Sequence, residues 1–254
     1  MADLFDSAEK EVPDSGQRPL ADRLRPTTLA DVIGQEDLLG ASGPLGTMLA
    51  SGALSSIIFW GPPGVGKTTI ARLLANESDL AFVQISAIFT GVADLKKVFE
   101  AARLRRTTGR GTLLFVDEIH RFNKAQQDGF LPLMEDGTIV LVGATTENPS
   151  FELNAALLSR AQVFVLKRLD DVALSALIDR AEADVGHQLP LTDDARQSLI
   201  DMADGDGRAL LNLVEQISGW GLTAPIDSAD LSARLSRRAA QYDKSGDAHY
   251  NLIS

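Results

Sequence analysis

The chain contains no cysteine, which excludes disulfides and thiolate metal sites. Histidine is scarce, and His120, His187 and His249 stand too far apart to suggest a metal centre. No run approaches the roughly 18 apolar residues of a membrane-spanning helix. The start, Met1-Ala2-Asp3-Leu4-Phe5-Asp6, lacks the basic residues and apolar core of a signal peptide. Positive charge is in deficit: the net charge is −11, which argues against a broadly basic coat for nucleic acid but leaves room for a local basic site. What remains is ordinary globular composition, 44% hydrophobic and 23% charged over 254 residues, which predicts a soluble intracellular protein with one large domain or a medium and a small one.

Against that background one segment stands out. Gly61-Pro62-Pro63-Gly64-Val65-Gly66-Lys67-Thr68 fits the phosphate-loop pattern G-x-x-x-x-G-K-[ST]. Chance yields that pattern in roughly one chain of this length in a hundred, and its flanks lower the odds further. Ile57-Ile58-Phe59-Trp60 before it reads as a buried strand, and the residues from Thr69 to Asn76 after it read as a helix. Glycines at these positions let successive N–H groups turn inward on a polyphosphate at the positive end of a helix. Lys67 then reaches the β- and γ-phosphates and the Thr68 hydroxyl ligates Mg²⁺.

The second motif is Leu113-Leu114-Phe115-Val116-Asp117-Glu118, an apolar strand ending in two carboxylates. Asp117 is placed to hold Mg²⁺, and Glu118 to orient and deprotonate the attacking water. The same residues read with Ile119-His120 as the D-E-x-H box of helicases, but that assignment needs a second motor domain, and the residues downstream predict a small helical domain instead. His120 is therefore expected to be structural. A third element, Gly143-Ala144-Thr145-Thr146-Glu147-Asn148, ends another apolar strand and offers a polar group to the γ-phosphate or the lytic water. Thr146 is the first choice for that role and Asn148 the second.

Around these motifs strands and helices alternate. Strands are expected at Ile57–Trp60, Ala81–Ile85, Thr112–Val116, Ile139–Gly143 and Gln162–Leu166, with helices near Lys67–Asn76, Ala93–Leu104 and Lys124–Glu135. This alternation implies a parallel sheet covered on both faces. The predicted fold is thus an α/β P-loop NTPase core over residues 21–168, followed by a small all-α lid over 169–241. In the lid, helices are expected at Ala173–Val185, after an N-cap at Thr192, and at Arg208–Ile217 and Ser228–Ala239. Residues 1–20 read as a mobile tail and 242–254 as the start of a further C-terminal region.

Taken together, these blocks carry a family resemblance. The phosphate loop, Asp117-Glu118, Thr146, Leu157-Leu158-Ser159-Arg160 and Gly205-Asp206-Gly207-Arg208, in that order, resemble an AAA+ ATPase of the clamp-loader clade. The long blocks Asp117–Asp128 and Gly143–Phe151, with Leu20–Pro26 and Val32–Gln35, are similar to the RarA/MgsA replication-associated recombination family. The eukaryotic relatives of that family are the Werner-helicase-interacting ATPases. The resemblance implies a Mg²⁺-dependent ATPase that binds ATP and ADP. Val32 and Ile33 would meet the adenine, and Pro62, Pro63, Val65 and Thr69 would belong to the nucleotide cradle. Arg160 would be the arginine finger inserted into a neighbouring subunit's site. Arg208 would be a second sensor reaching the γ-phosphate.

The implied partners are forked, gapped or single-stranded DNA, single-strand DNA-binding protein, replisome components and further copies of the same chain, in a cytoplasmic, nucleoid-associated setting without a membrane. The alternatives are a clamp-loader-type subunit and a non-catalytic, nucleotide-dependent scaffold. For DNA contact, Arg103, Arg105, Arg106 and Arg110 form one basic cluster and Arg234, Arg237 and Arg238 another, each equally readable as a solvated helix face or a subunit contact. Phe89 is expected in the core, with base stacking as the alternative.

Overall fold

The computed structural model describes residues 18–52 and 54–237. Most of the expected tail, the stretch from residue 238 and, with them, Arg238 lie outside the described residues. Five strands form one parallel sheet: β1 (Ile57–Trp60), β2 (Ala81–Ser86), β3 (Thr112–Asp117), β4 (Ile139–Thr145) and β5 (Gln162–Val165), in the order β2-β3-β4-β1-β5. The jump from β1 to β2 and back through β3 to β4 places β4 between the strand that feeds the phosphate loop and the strand that ends in the carboxylates.

The central strands are apolar on both faces because both are covered. Alternate residues sort onto the two sides with the period of two that a pleated strand imposes. Ile57, Phe59, Leu113, Phe115, Val142 and Ala144 pack with Ile70, Leu73 and Leu74 of the helix Lys67–Glu77. Ile58, Leu114, Val116, Ile139 and Leu141 pack with Leu95, Val98 and Ala102 of the helix Val92–Thr107. The edge strand β5 shows its Val163 and Val165 to solvent while Phe164 leans on the first cluster.

The structure departs from the sequence reading at several element ends. β4 runs two residues further than expected, bringing Thr145 into the sheet opposite Trp60. The single helix expected over Lys124–Glu135 is two short ones, Lys124–Asp128 and Leu131–Glu135, parted at Gly129-Phe130 and with Pro132 in the first turn of the second. Proline lacks the N–H that would continue a helix but fits its first turn. Phe89 is 86% exposed, not in the core, because Ile88-Phe89-Thr90 form the connection after β2.

The contacts divide the chain into two compact units whose limits differ from the expected 21–168 and 169–241. The α/β unit is Arg25–Ala173 with Gly205–Arg208, and the helical unit takes residues 18–24, Leu174–Asp204 and 209–237 among those described. Leu169 joins the α/β unit because its side chain packs against Gly34 and its N–H donates to the Gly205 carbonyl at 3.1 Å. Residues 20–24 join the helical unit because the Leu20 N–H donates to Glu215 at 2.9 Å and Arg23 pairs with Asp184.

Within the helical unit, the helices Asp193–Ala203 and 228–237 are tied at their starts by Asp194. Its carboxylate accepts from the Thr192 hydroxyl at 2.6 Å and from the Ser228 N–H at 3.1 Å. The Thr192 hydroxyl first, and then the Ser228 groups, hold the carboxyl at about 2, below its ordinary value. A depressed carboxyl adds stability above its unfolded pKa near 3.9 and loses it as pH falls through the folded value. Asp194→Ala should therefore lower the thermal midpoint of the helical unit at neutral pH, and the gap from wild type should close as pH is brought from about 4 toward 2. Thermal scans followed by circular dichroism across that range check it.

Candidate active site

The loop between β1 and the helix Lys67–Glu77 takes its shape from two left-handed glycines, Gly64 at φ +70° and Gly66 at φ +95°. Residues with a Cβ adopt such angles only at a cost. Space adds a second constraint at Gly64, where a Cβ would lie 1.7 Å from Asp206 Oδ1. Gly66 directly precedes a helix of 11 residues, so the loop delivers the free N–H groups of that helix to a single point. The Gly61 N–H donates to the Thr145 carbonyl at 3.1 Å, which fastens the start of the loop to the end of β4.

Lys67 is 9% exposed, and its Nζ donates to the carbonyls of Gly61 and Pro62, each at 2.7 Å. Burial lowers its pKa, opposed by the charges of Glu118, Asp117 and Asp206, while Arg208 pushes in the same direction as burial. Five charged side chains from three separate stretches therefore act on one another at one end of the sheet. Arg208 is exposed and close enough to act on Lys67. Asp206, two residues before it, lies against the loop at Gly64.

Asp117 closes β3 opposite Ser86. Glu118 follows with φ +53°, a left-handed backbone that is uncommon outside glycine. Its Oε2 lies 3.3 Å from His120 Nδ1. Of the two sensor candidates, Thr146 is exposed just beyond β4, and Asn148 accepts from the Ser150 N–H as the N-cap of Pro149–Glu152. The neighbouring Thr145 is fully buried and bonds His120, a role that sequence reasoning did not assign. Strand alternation signals it: Thr145 shares the face of Leu141, against which Ile119 packs.

Val32 is buried in the cluster that includes Leu38, Ile70 and Leu166, and Ile33 is half-buried. Gln35 fixes this segment by donating to the Lys167 carbonyl at 2.9 Å and accepting from its N–H at 3.3 Å. Pro63 is exposed, Pro62 half-buried and Val65 buried. Thr69 lies 3.5 Å from Arg25 Nη1.

Arg160 is not gathered with these groups. Its guanidinium pairs with Glu135, from Nε at 2.7 Å and Nη2 at 2.6 Å, and Nη1 donates to the Ala156 carbonyl at 2.9 Å and Ser159 Oγ at 3.0 Å. The Glu135 partner lies 25 residues away and carried no signal in the sequence. The arginine clusters differ in their surroundings. Arg106 bonds Thr138 at 3.0 Å and pairs with Asp136 at 3.1 Å, and Arg234 lies over the Trp220 ring.

The sheet order, the glycine-shaped loop and the carboxylate pair belong to one α/β core, and comparison with known proteins specifies its family. The family description "ATPase family associated with various cellular activities (AAA)" matches residues 57–169, and "AAA C-terminal domain" matches residues 185–254. Replication-associated recombination protein A of Escherichia coli K12 is 44% identical over 254 residues, covering 95% of this chain. The chain belongs to the replication-associated recombination protein A family.

The family's namesake from Bacillus subtilis is 35% identical over 93% of the chain, and ATPase WRNIP1 of Dictyostelium discoideum is 42% identical over 93% of it. The chain spans little more than half of the Escherichia coli relative, 56%, and 30% of the Dictyostelium one. Among solved structures, Thermotoga maritima RuvB, a Holliday junction branch migration motor, superposes with a TM-score of 0.67 at 26% identity, over 84% of this chain and 72% of its own. The expected fold, a parallel α/β AAA+ core followed by an all-helical domain, is borne out. Among the described residues no helix is long and apolar enough to cross a membrane.

Proposed function

We propose that this replication-associated recombination protein A family member hydrolyses ATP and uses the cycle to act on DNA at stalled or damaged replication forks. The observation that carries the reading is the convergence of Lys67, Asp117, Glu118 and Arg208 beside the glycine-shaped loop. Its DNA side is supported by the relatives' name, replication-associated recombination protein A.

The chain's own groups divide the work. The loop Gly61–Thr68 and the first turn of its helix, through Thr69, cradle the phosphates, and Val32 and Ile33 bracket the base. Lys67 gives up its carbonyl partners and turns to the β- and γ-phosphates, an exchange helped by the poor match between a buried ammonium and its surroundings. Thr146, with Asn148 as the alternative, reads the γ-phosphate, and Arg208 contacts it as well. Glu118 holds the attacking water and takes its proton.

The hard-oxygen set of Thr68 and Asp117 fits Mg²⁺, which is usually held by one or two carboxylates together with substrate phosphates. When bound, the ion neutralises charge on the phosphates.

Further copies of the chain complete the site: Arg160, whose guanidinium pairs with Glu135, acts in a neighbour's nucleotide loop. Leaving Glu135 costs little, because exposed ion pairs contribute about 0.2–1 kcal/mol. Steady-state ATP turnover with and without forked, gapped and blunt duplex DNA tests the whole reading. Turnover should rise several-fold with forked or gapped DNA and little with blunt duplex. Turnover indifferent to every DNA would remove the DNA-directed part, and absent turnover in the assembled protein would remove the ATPase.

A further inference from the structure

The His120 side chain is 6% exposed, and its Nδ1 faces two oxygens. Nδ1 lies 2.9 Å from Thr145 Oγ1 and 3.3 Å from Glu118 Oε2. Thr145 Oγ1 also accepts from the Glu147 N–H at 3.0 Å and donates to the Glu147 carbonyl at 3.2 Å. A hydroxyl has one proton and two lone pairs. With its proton on the Glu147 carbonyl, its lone pairs accept from the Glu147 N–H and from an Nδ1–H. A bare Nδ1 would instead set its lone pair against the Glu118 carboxylate. The network therefore assigns the proton to Nδ1, shared between Thr145 and Glu118.

Thr145 is bound at its other end too, where its carbonyl accepts from the Gly61 N–H that opens the phosphate loop. One residue thus touches the loop through its backbone and His120 through its side chain. At the far end, the backbone of Glu118 is fixed: φ is +53°, and its carbonyl accepts from the Arg121 N–H at 2.8 Å to close the turn Ile119–Arg121. The side-chain torsions of Glu118 remain to be set, and His120 Nδ1 meets its carboxylate at 3.3 Å.

From this geometry we infer that His120 is a positioning residue. It couples the end of β4, and through it the phosphate loop and the turn bearing Thr146 and Asn148, to the carboxylate of Glu118. A shift of the loop or turn on meeting the γ-phosphate moves the Thr145 hydroxyl, and His120 passes the shift to the base. Hydrolysis is thereby tied to correct seating of the phosphates. The inference rests on the reading of Glu118 as the base that activates water.

The test is a double-mutant cycle in the full chain. Turnover and the affinity for a non-hydrolysable ATP analogue are measured for His120→Ala, Thr145→Val and Thr145→Ser, and His120→Ala is repeated on the Glu118→Gln background in single-turnover assays. His120→Ala and Thr145→Val should each lower kcat by about 10- to 10²-fold, the scale of a misplaced group, with analogue affinity unchanged. Thr145→Ser, which keeps the hydroxyl, should restore most of what Thr145→Val loses. On the Glu118→Gln background His120→Ala should cost nothing further, since there is no carboxylate to position. Thr145→Val is nearly isosteric, so it carries the test if His120→Ala folds poorly. Wild-type turnover in both single variants, or an equal fractional loss with and without the Glu118 carboxylate, overturns the inference. Full turnover in Glu118→Gln alone would instead overturn the reading of the base, and the coupling with it.

Discussion

Subunits carrying Arg160→Ala should bind ATP normally and hydrolyse it at least about 10³-fold more slowly than wild type once assembled, the lower range for an arginine supplied in trans. The size of the effect follows from where the charge acts. A guanidinium brought to the γ-phosphate meets charge that develops in the transition state, whereas its present partner, Glu135, is an exposed carboxylate worth little. If the finger and the loop it serves belong to different copies, as proposed, the defect should be complemented. Mixing Arg160→Ala subunits with Lys67→Ala subunits should recover part of the turnover, since an intact loop then faces an intact finger. The measurement is turnover against mixing ratio at concentrations where the protein sediments as an oligomer. Full activity of an assembled Arg160→Ala protein would reduce Arg160 to a surface ion pair.

Glu118→Gln should leave binding of Mg·ATP intact and lower turnover by at least about 10²-fold, the usual worth of a positioned base. Glutamine keeps the length of the side chain and takes the same left-handed backbone at similar cost, so the loss reports the missing carboxylate. Lys67→Ala should act on the other parameter and weaken nucleotide binding itself, as expected of an ammonium proposed to contact the phosphates before and during the reaction. Titration with a fluorescent ATP analogue, run beside turnover, separates the two. A Glu118→Gln protein turning over at the wild-type rate would exclude Glu118 from its role.

Local features of this chain were legible in its sequence, and long-range ones were not. The phosphate loop is written in consecutive residues whose backbone demands are local, and the run from Leu113 to Glu118 is a buried strand in any reading. The network around His120 joins positions 118, 120, 145 and 147, and no periodicity brings β3 and β4 together. The same holds for Arg160 with Glu135. Phe89 shows the opposite failure, where a large apolar side chain suggested burial and the chain instead leaves it at the surface after β2. The break at Gly129 was written in the sequence through Pro132, but the apolar spacing across it looked like one helix.

The helical unit is assembled from pieces far apart along the chain. Leu20 reaches Glu215 across 195 positions, and Arg23 reaches Asp184 across 161. On a ribosome adding about 5–20 residues per second, the first of these segments waits on the order of 10–40 s for its partner. Through that interval Leu20, fully buried in the finished protein, has no helical unit to enter. The α/β unit, most of which emerges in one continuous stretch, can fold while the helical unit is still incomplete. Closing so long a loop is slow relative to local contacts. Synthesis therefore lets most of the α/β unit emerge before Leu20 can meet Glu215.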